Sequence, residues 1–157
     1  MEDLLELIAQ LAITIAALSA VAGASRSNTS TSTNLERHFL LRDVALIGMA
    51  VALYSVIPLL LDEAGVDSDL TMAACGGLAA SAWLVGYVLY IKRIWGDKTH
   101  FTGQFFLGCV LTISGLASFI WAAVLENEIA YLCGLVCWLA IASFNFINGV
   151  FALDPKS

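Results

Sequence analysis

Five uncharged apolar runs, separated by short polar segments, set the pattern of this chain: 7–24, 44–61, 70–91, 105–125 and 129–153. A helix needs roughly 20 apolar residues to cross about 30 Å of hydrocarbon, and each run approaches or exceeds that length. The last run is the clearest, because it continues for 25 residues without a formal charge. A chain this short cannot hide such a helix in a water-soluble core, so lipid and neighbouring helices must be its solvent. The pattern predicts an all-α fold: an integral membrane bundle of five transmembrane helices, forming a single transmembrane domain over 1–157.

The segments between the runs refine this. The stretch 25–33, SRSNTSTST, reads as a polar loop. Thr33-Asn34-Leu35-Glu36 has capping-box spacing, so a second helix is expected to begin at Thr33 and continue into 44–61. Pro58 near its far end removes a backbone hydrogen bond and is expected to bend or end it. Residues 62–69 form an acidic loop and 92–104 a polar one. Only Glu126-Asn127-Glu128 separates the fourth and fifth runs, which predicts a tight antiparallel hairpin. The first run carries Ala20-Val21-Ala22, similar to a signal-peptidase site. Its leading residues Glu2, Asp3 and Glu6 are acidic where a signal peptide is basic, so a retained helix is expected.

Composition agrees: 60 % of residues are hydrophobic and 13 % charged, against roughly 25 % charged in a soluble domain. The net charge of −6 becomes informative once it is divided among the segments. All seven Lys and Arg fall in 25–43, 92–104 and the C-terminal tail, which five spans put on one side. The positive-inside rule then places the N-terminus outside and the C-terminus in the cytoplasm, with 25–43 and 92–104 as cytoplasmic loops. Nine of the 13 carboxylates fall on the outer side. The Asn28-Thr29-Ser30 glycosylation acceptor would lie on the wrong face to be used.

The order LAITIAALSAVAGAS, ERHFLLRDVALIGMAVALYSVIPLLLDEAG and AYLCGLVCWLAIASFNFINGVF resembles small bacterial multi-pass membrane proteins of unassigned function. The likeness is one of apolar segments, with an Arg-led second helix and its late Pro58. It implies a bacterial inner-membrane protein and no particular activity.

Candidate chemistry is sparse. Asn145 and Asn148, three apart on one face of the fifth run, are the leading pair, as an interhelical polar site or the lining of a pore. Ser143 lies beside them. Gln10 and Thr14, with Glu6, step by four along the first run and form a polar stripe. Ala73, Gly77 and Ser81 place small residues on one face of the third run, and Gly108 and Gly115 lie a heptad apart on the fourth. Both are expected helix-packing positions. No acidic or basic residue lies deep in a span, which argues against proton relays, voltage sensors and ion-coupled transport. Cys75, Cys109, Cys133 and Cys137 lie in apolar runs and read as packing residues rather than a disulfide or metal set. His38 and His100 fall on the cytoplasmic face near carboxylates, where solvated side chains are the ordinary reading. Trp83 and Trp138 lie within spans and read as packing, whereas Tyr90 and Tyr131 near span ends read as belt anchors.

No nucleotide-binding, zinc-protease or nucleophile-elbow motif occurs, so no catalytic residue, metal or cofactor is nominated. The expected partners are the lipid bilayer and either further copies of the chain or another membrane protein, with no nucleic acid. Three functions follow in order of preference. The first is an assembly or interaction subunit acting through helix association. The second is a homo-oligomeric passive channel lined by hydroxyls and amides. The third is a membrane enzyme using the two histidines.

Overall fold

The computed structural model describes residues 2–25, 32–94 and 103–151, with side chains left aside at 25, 32–40, 90–94, 103–107, 148, 149 and 151. The five apolar runs become five helices: α1 Glu2–Ser25, α2 Ser32–Glu63, α3 Ser68–Ile94, α4 Gly103–Leu125 and α5 Glu128–Phe151. Each contains a stretch long and apolar enough to cross a membrane, as befits a multi-pass membrane protein. The outward faces are correspondingly greasy. Leu7, Leu18, Leu53, Leu84, Val124 and Val136 are among many large apolar side chains left exposed.

Helices α2 and α5 pack against each other at the centre. Helix α1 lies mainly along α2, while α4 packs on α5 and α3 on α4. Helix α3 closes back on α2 more lightly and barely touches α5. The short connections have defined chemistry. After α2, Val66 N–H donates to Leu61 O at 3.0 Å and Gly65 N–H to Asp62 O at 2.9 Å, a Schellman cap. Gly65 supplies the left-handed turn it requires, at φ 76°. Asp67 then caps α3, its Oδ1 accepting from Asp69 N–H at 3.0 Å. Asn127 does the same for α5, accepting from Ala130 N–H at 3.0 Å.

Helix α2 begins at Ser32, one residue before the expected Thr33 cap, and neither ends nor breaks at Pro58. Pro58 has no N–H to give to the carbonyl of Tyr54, four residues back. Tyr131 on α5 replaces it: its hydroxyl donates to Tyr54 O at 2.7 Å. The hydroxyl of Tyr54 in turn donates to Leu78 O on α3 at 3.4 Å, so one chain of polar contacts ties α5, α2 and α3. Tyr131 is 0 % exposed and is therefore no belt anchor, contrary to the expectation from its place near a span end. The phenol of Tyr131 thus meets the carbonyl that Pro58 leaves free.

Backbones approach most closely where glycine removes a side chain. A Cβ at Gly48 would come within 2.8 Å of Ala12 O on α1, and one at Gly76 within 2.9 Å of Ala123 N and Phe119 O on α4. At Gly77 the same atom would meet nothing within 4 Å. The intrachain seam of α3 therefore runs through Gly76, Ala79 and Trp83, and Gly77 lies on the exposed side. Gly76→Ala should lower stability in detergent by about 1–3 kcal/mol through overpacking against backbone. Gly77→Ala should fall within about 0.5 kcal/mol of wild type. Denaturation in mixed micelles compares the two, and equal losses would misplace the seam.

Candidate functional site

Most of the hydroxyls within the spans are satisfied locally. Thr14 donates to Gln10 O, Ser19 to Ile15 O, Ser55 to Val51 O, Thr112 to Gly108 O, Ser118 to Ser114 O and Ser143 to Leu139 O. Ser81 donates to Leu78 O, three residues back. A hydroxyl that returns its proton to the preceding turn needs neither a partner helix nor water. Between α2, α3, α4 and α5 the centre of the bundle is filled by rings. Trp83 stacks on Trp138 at 5.0 Å between centroids, and Phe119 meets Trp83, Tyr131 and Trp138 edge-on at 5.6 to 5.8 Å. Tyr54 adds a tilted contact with Trp138 at 5.6 Å. These rings fill the space among the four helices where Trp83, Phe119 and Trp138 meet.

Asn145 continues the inward seam of α5. Tyr131, Leu135, Trp138 and Ala142 are buried at alternating spacings of four and three, and Asn145 is the next step. It is half-buried and makes no hydrogen bond with another described residue. The side chain of Asn148 lies outside the described residues, as do those of His38 and His100. Gln10 and Thr14 lie on the exposed face of α1, where Gln10 Nε2 donates to Glu6 Oε1 at 3.3 Å. Ala73 is half-buried, and Gly77 and Ser81 are exposed. A Cβ at Gly108 would meet nothing within 4 Å, whereas one at Gly115 would strike the ring of Trp83. Among the described residues, then, the named side chains converge on no single point. The four cysteines are all free: Cys75 is buried, Cys109 and Cys137 half-buried, and Cys133 exposed.

A different place gathers polar groups. The start of α1, the end of α2 and the starts of α3 and α5 meet at one end of the bundle around a cavity of about 340 Å³. Four carboxylates line it: Glu2, Asp3, Asp62 and Glu128. Pro58, Leu59 and Met72 supply apolar wall, and Ser68 and Thr71 complete it from the first turn of α3. Three helix N-termini point this way, and first-turn carboxylates such as Glu2, Asp3 and Glu128 oppose their dipoles, which accounts for part of the acidity. The dipoles do not account for Thr71. It is 3 % exposed, and its Oγ1 is the one buried side-chain polar atom among the described residues with no hydrogen-bond partner.

No Lys, Arg or His lies before Arg26, between Asp43 and Ile91, or between Phe105 and Leu153, so the segments that build this end carry no basic side chain. Among the described residues no three Asp, Glu, His or Cys lie close enough together to hold a metal ion. The carboxylates are spread around the cavity rather than gathered on one point. Sequence reasoning assigned the acidity to this side but not the cavity or Thr71. A lone threonine one turn into a helix has no signature until its neighbours are placed.

The chain matches no protein-family model, no curated protein and no solved structure, so its functional reading rests on its own geometry.

Proposed function

We propose that this protein is a self-associating assembly subunit of a bacterial inner membrane, with its N-terminus outside and its C-terminus in the cytoplasm. The observation that carries the reading is the polar ladder Glu6, Gln10 and Thr14, which faces out of the bundle from within a candidate span. At 1.5 Å per residue Gln10 and Thr14 lie roughly 5 and 11 Å into the apolar run that starts at Leu7, where an amide faces hydrocarbon only at a cost. Glu6 occupies one amide hydrogen and leaves the remaining donor and the carbonyl free. A primary amide carries both donor and acceptor, so it can pair with its own copy across a twofold axis normal to the membrane.

The exposed Gly77 and Ser81 on α3 offer a second smooth face for close helix approach. The charge division supports the orientation. The carboxylate-lined end would face out, and the ends bearing Arg42, Lys92 and Arg93 would face the cytoplasm.

Gln10→Leu should shift the protein toward monomer in nanodiscs or mild detergent by about 1–2 kcal/mol of association energy while leaving single-chain stability intact. Mass photometry or in-membrane cross-linking reads this, and an unchanged oligomer distribution would remove α1 from the interface. If the ladder instead lies on a symmetry axis, purified oligomers in liposomes should pass small solutes and Gln10→Leu should stop that flux without dissociating them.

Single cysteines in a Cys-free background give the orientation. One in 62–69 should react with an impermeant reagent from outside, and one in 92–104 only after the membrane is opened. Labelling of both from the same side would refute the topology.

A further inference from the structure

We propose that protons control the self-association of this protein through Glu6: the α1 faces of two copies pair loosely while Glu6 is ionised and tightly once it is protonated. This rests on the assembly reading and adds its regulation. The seam that would meet a second copy runs along the outward side of α1. Glu6, Gln10, Ile13, Ala17, Ala20 and Ala24 are all exposed, and they follow one another at steps of four, three, four, three and four. That is the repeat by which two helices pack side by side, and copies that share one orientation in the membrane pair in parallel.

Ala17, Ala20 and Ala24 keep the seam smooth, so the helix axes can close to about 8–10 Å. A twofold axis normal to the membrane sets every seam position opposite its own copy. Gln10 then meets Gln10, where a polar side chain fixes the register. Glu6 meets Glu6 one turn nearer the water.

Glu6 is where charge enters this seam. It immediately precedes the apolar run that starts at Leu7, so it stands at the margin of the hydrocarbon. It accepts a hydrogen bond from Gln10 Nε2 at 3.3 Å. Its titratable neighbours on α1 are Glu2 and Asp3, and Asp3 is the next seam position outward. Helices α2 and α5 pack against α1, and at this end they carry Asp62, Glu63 and Glu128. All five are acids, and these segments hold no Lys, Arg or His to keep Glu6 ionised.

Two carboxylates opposed across the axis repel, more strongly at the edge of a bilayer than in open water. A proton taken from the water by one or both of them removes that repulsion. The protonated carboxyl also gains an O–H to donate to the opposite carboxyl or to the Gln10 carbonyl. The pair then holds more protons than two separate chains, so by linkage association strengthens as pH falls through the carboxylate range.

The test uses the full chain in phosphatidylcholine vesicles, with pH-insensitive donor and acceptor dyes on a single cysteine added at the C-terminus of the Cys-free background. Energy transfer is read against the protein-to-lipid ratio at about pH 7.5 and about pH 4.5, above and within the carboxylate range. Association is expected to strengthen about tenfold in acid. Glu6→Gln, which keeps the shape without the charge, should associate at neutral pH as wild type does in acid and show no response to pH. Glu6→Lys, charged at both values, should stay weak at both. Asp62→Asn, an exposed acid of the same end but off the seam, should retain the wild-type response. Equal wild-type association at both pH values, with Gln10→Leu still dissociating the oligomer, would overturn this proposal and leave the assembly reading standing. A chain that is monomeric at every pH would overturn both. A response that survives Glu6→Gln, or that Asp62→Asn removes as fully, would belong to other acids or to diffuse charge and overturn the proposal as well.

Discussion

One backbone carbonyl holds the architecture to account. In lipid every peptide group must find its partner within the protein, because no water is present to take its place. Pro58 denies the Tyr54 carbonyl its ordinary partner near the far end of the longest helix. The phenol of Tyr131 supplies the missing donor from α5, and the Tyr54 phenol passes a second link on to α3. The two tyrosines share an aromatic cluster with Trp83, Phe119 and Trp138, so hydrogen bonding and ring packing fix the same four helices. Without the Tyr131 hydroxyl, the α2–α5 contact would carry an unpaired carbonyl.

The same constraint explains what the spans lack. Serine and threonine hydroxyls return their protons to their own helices, so most of the polar content of the spans makes no demand on neighbours. What escapes this rule is informative. Gln10 projects its amide outward, Asn145 extends the inner seam of α5 with no partner among the described residues, and Thr71 is buried at the first turn of α3 with an idle oxygen. Each is a polar group whose capacity is not filled among the described residues. The outward amide fits a second copy, which places the proposed association on the outer face of α1.

Much of the fold was legible in the sequence because the bilayer imposes length. An uncharged run of 18 or more residues has few other destinies, and five such runs became five helices. The caps were harder to read. Asp67 and Asn127 act as N-caps where the sequence reading saw only short polar links, and α2 starts just before its expected cap. Facing was less legible still. Gly76 and Gly77 are neighbours with equal claims to a packing seam. Only the rotation of α3, set by Trp83 against Phe119 and Gly115, decides that Gly76 is covered. Tyr131 resembles an interfacial residue by position alone, since the carbonyl it serves lies 77 residues away in the chain. Thr71 could not have been singled out, because an unpaired hydroxyl is a property of the packed helices and not of a motif.

The dependence on the Pro58 gap is open to a direct measurement. Unfolding free energies in mixed micelles would be compared for wild type, Tyr131→Phe, Pro58→Ala and the double variant. The account predicts that Tyr131→Phe costs about 1–3 kcal/mol when Pro58 is present, since the Tyr54 carbonyl is then left unpaired in the core. With alanine at 58 a backbone N–H returns to that carbonyl, and the same removal of the phenol oxygen should cost close to nothing. An equal loss in both backgrounds would contradict the account, because Tyr131 would then stabilise the bundle by packing alone.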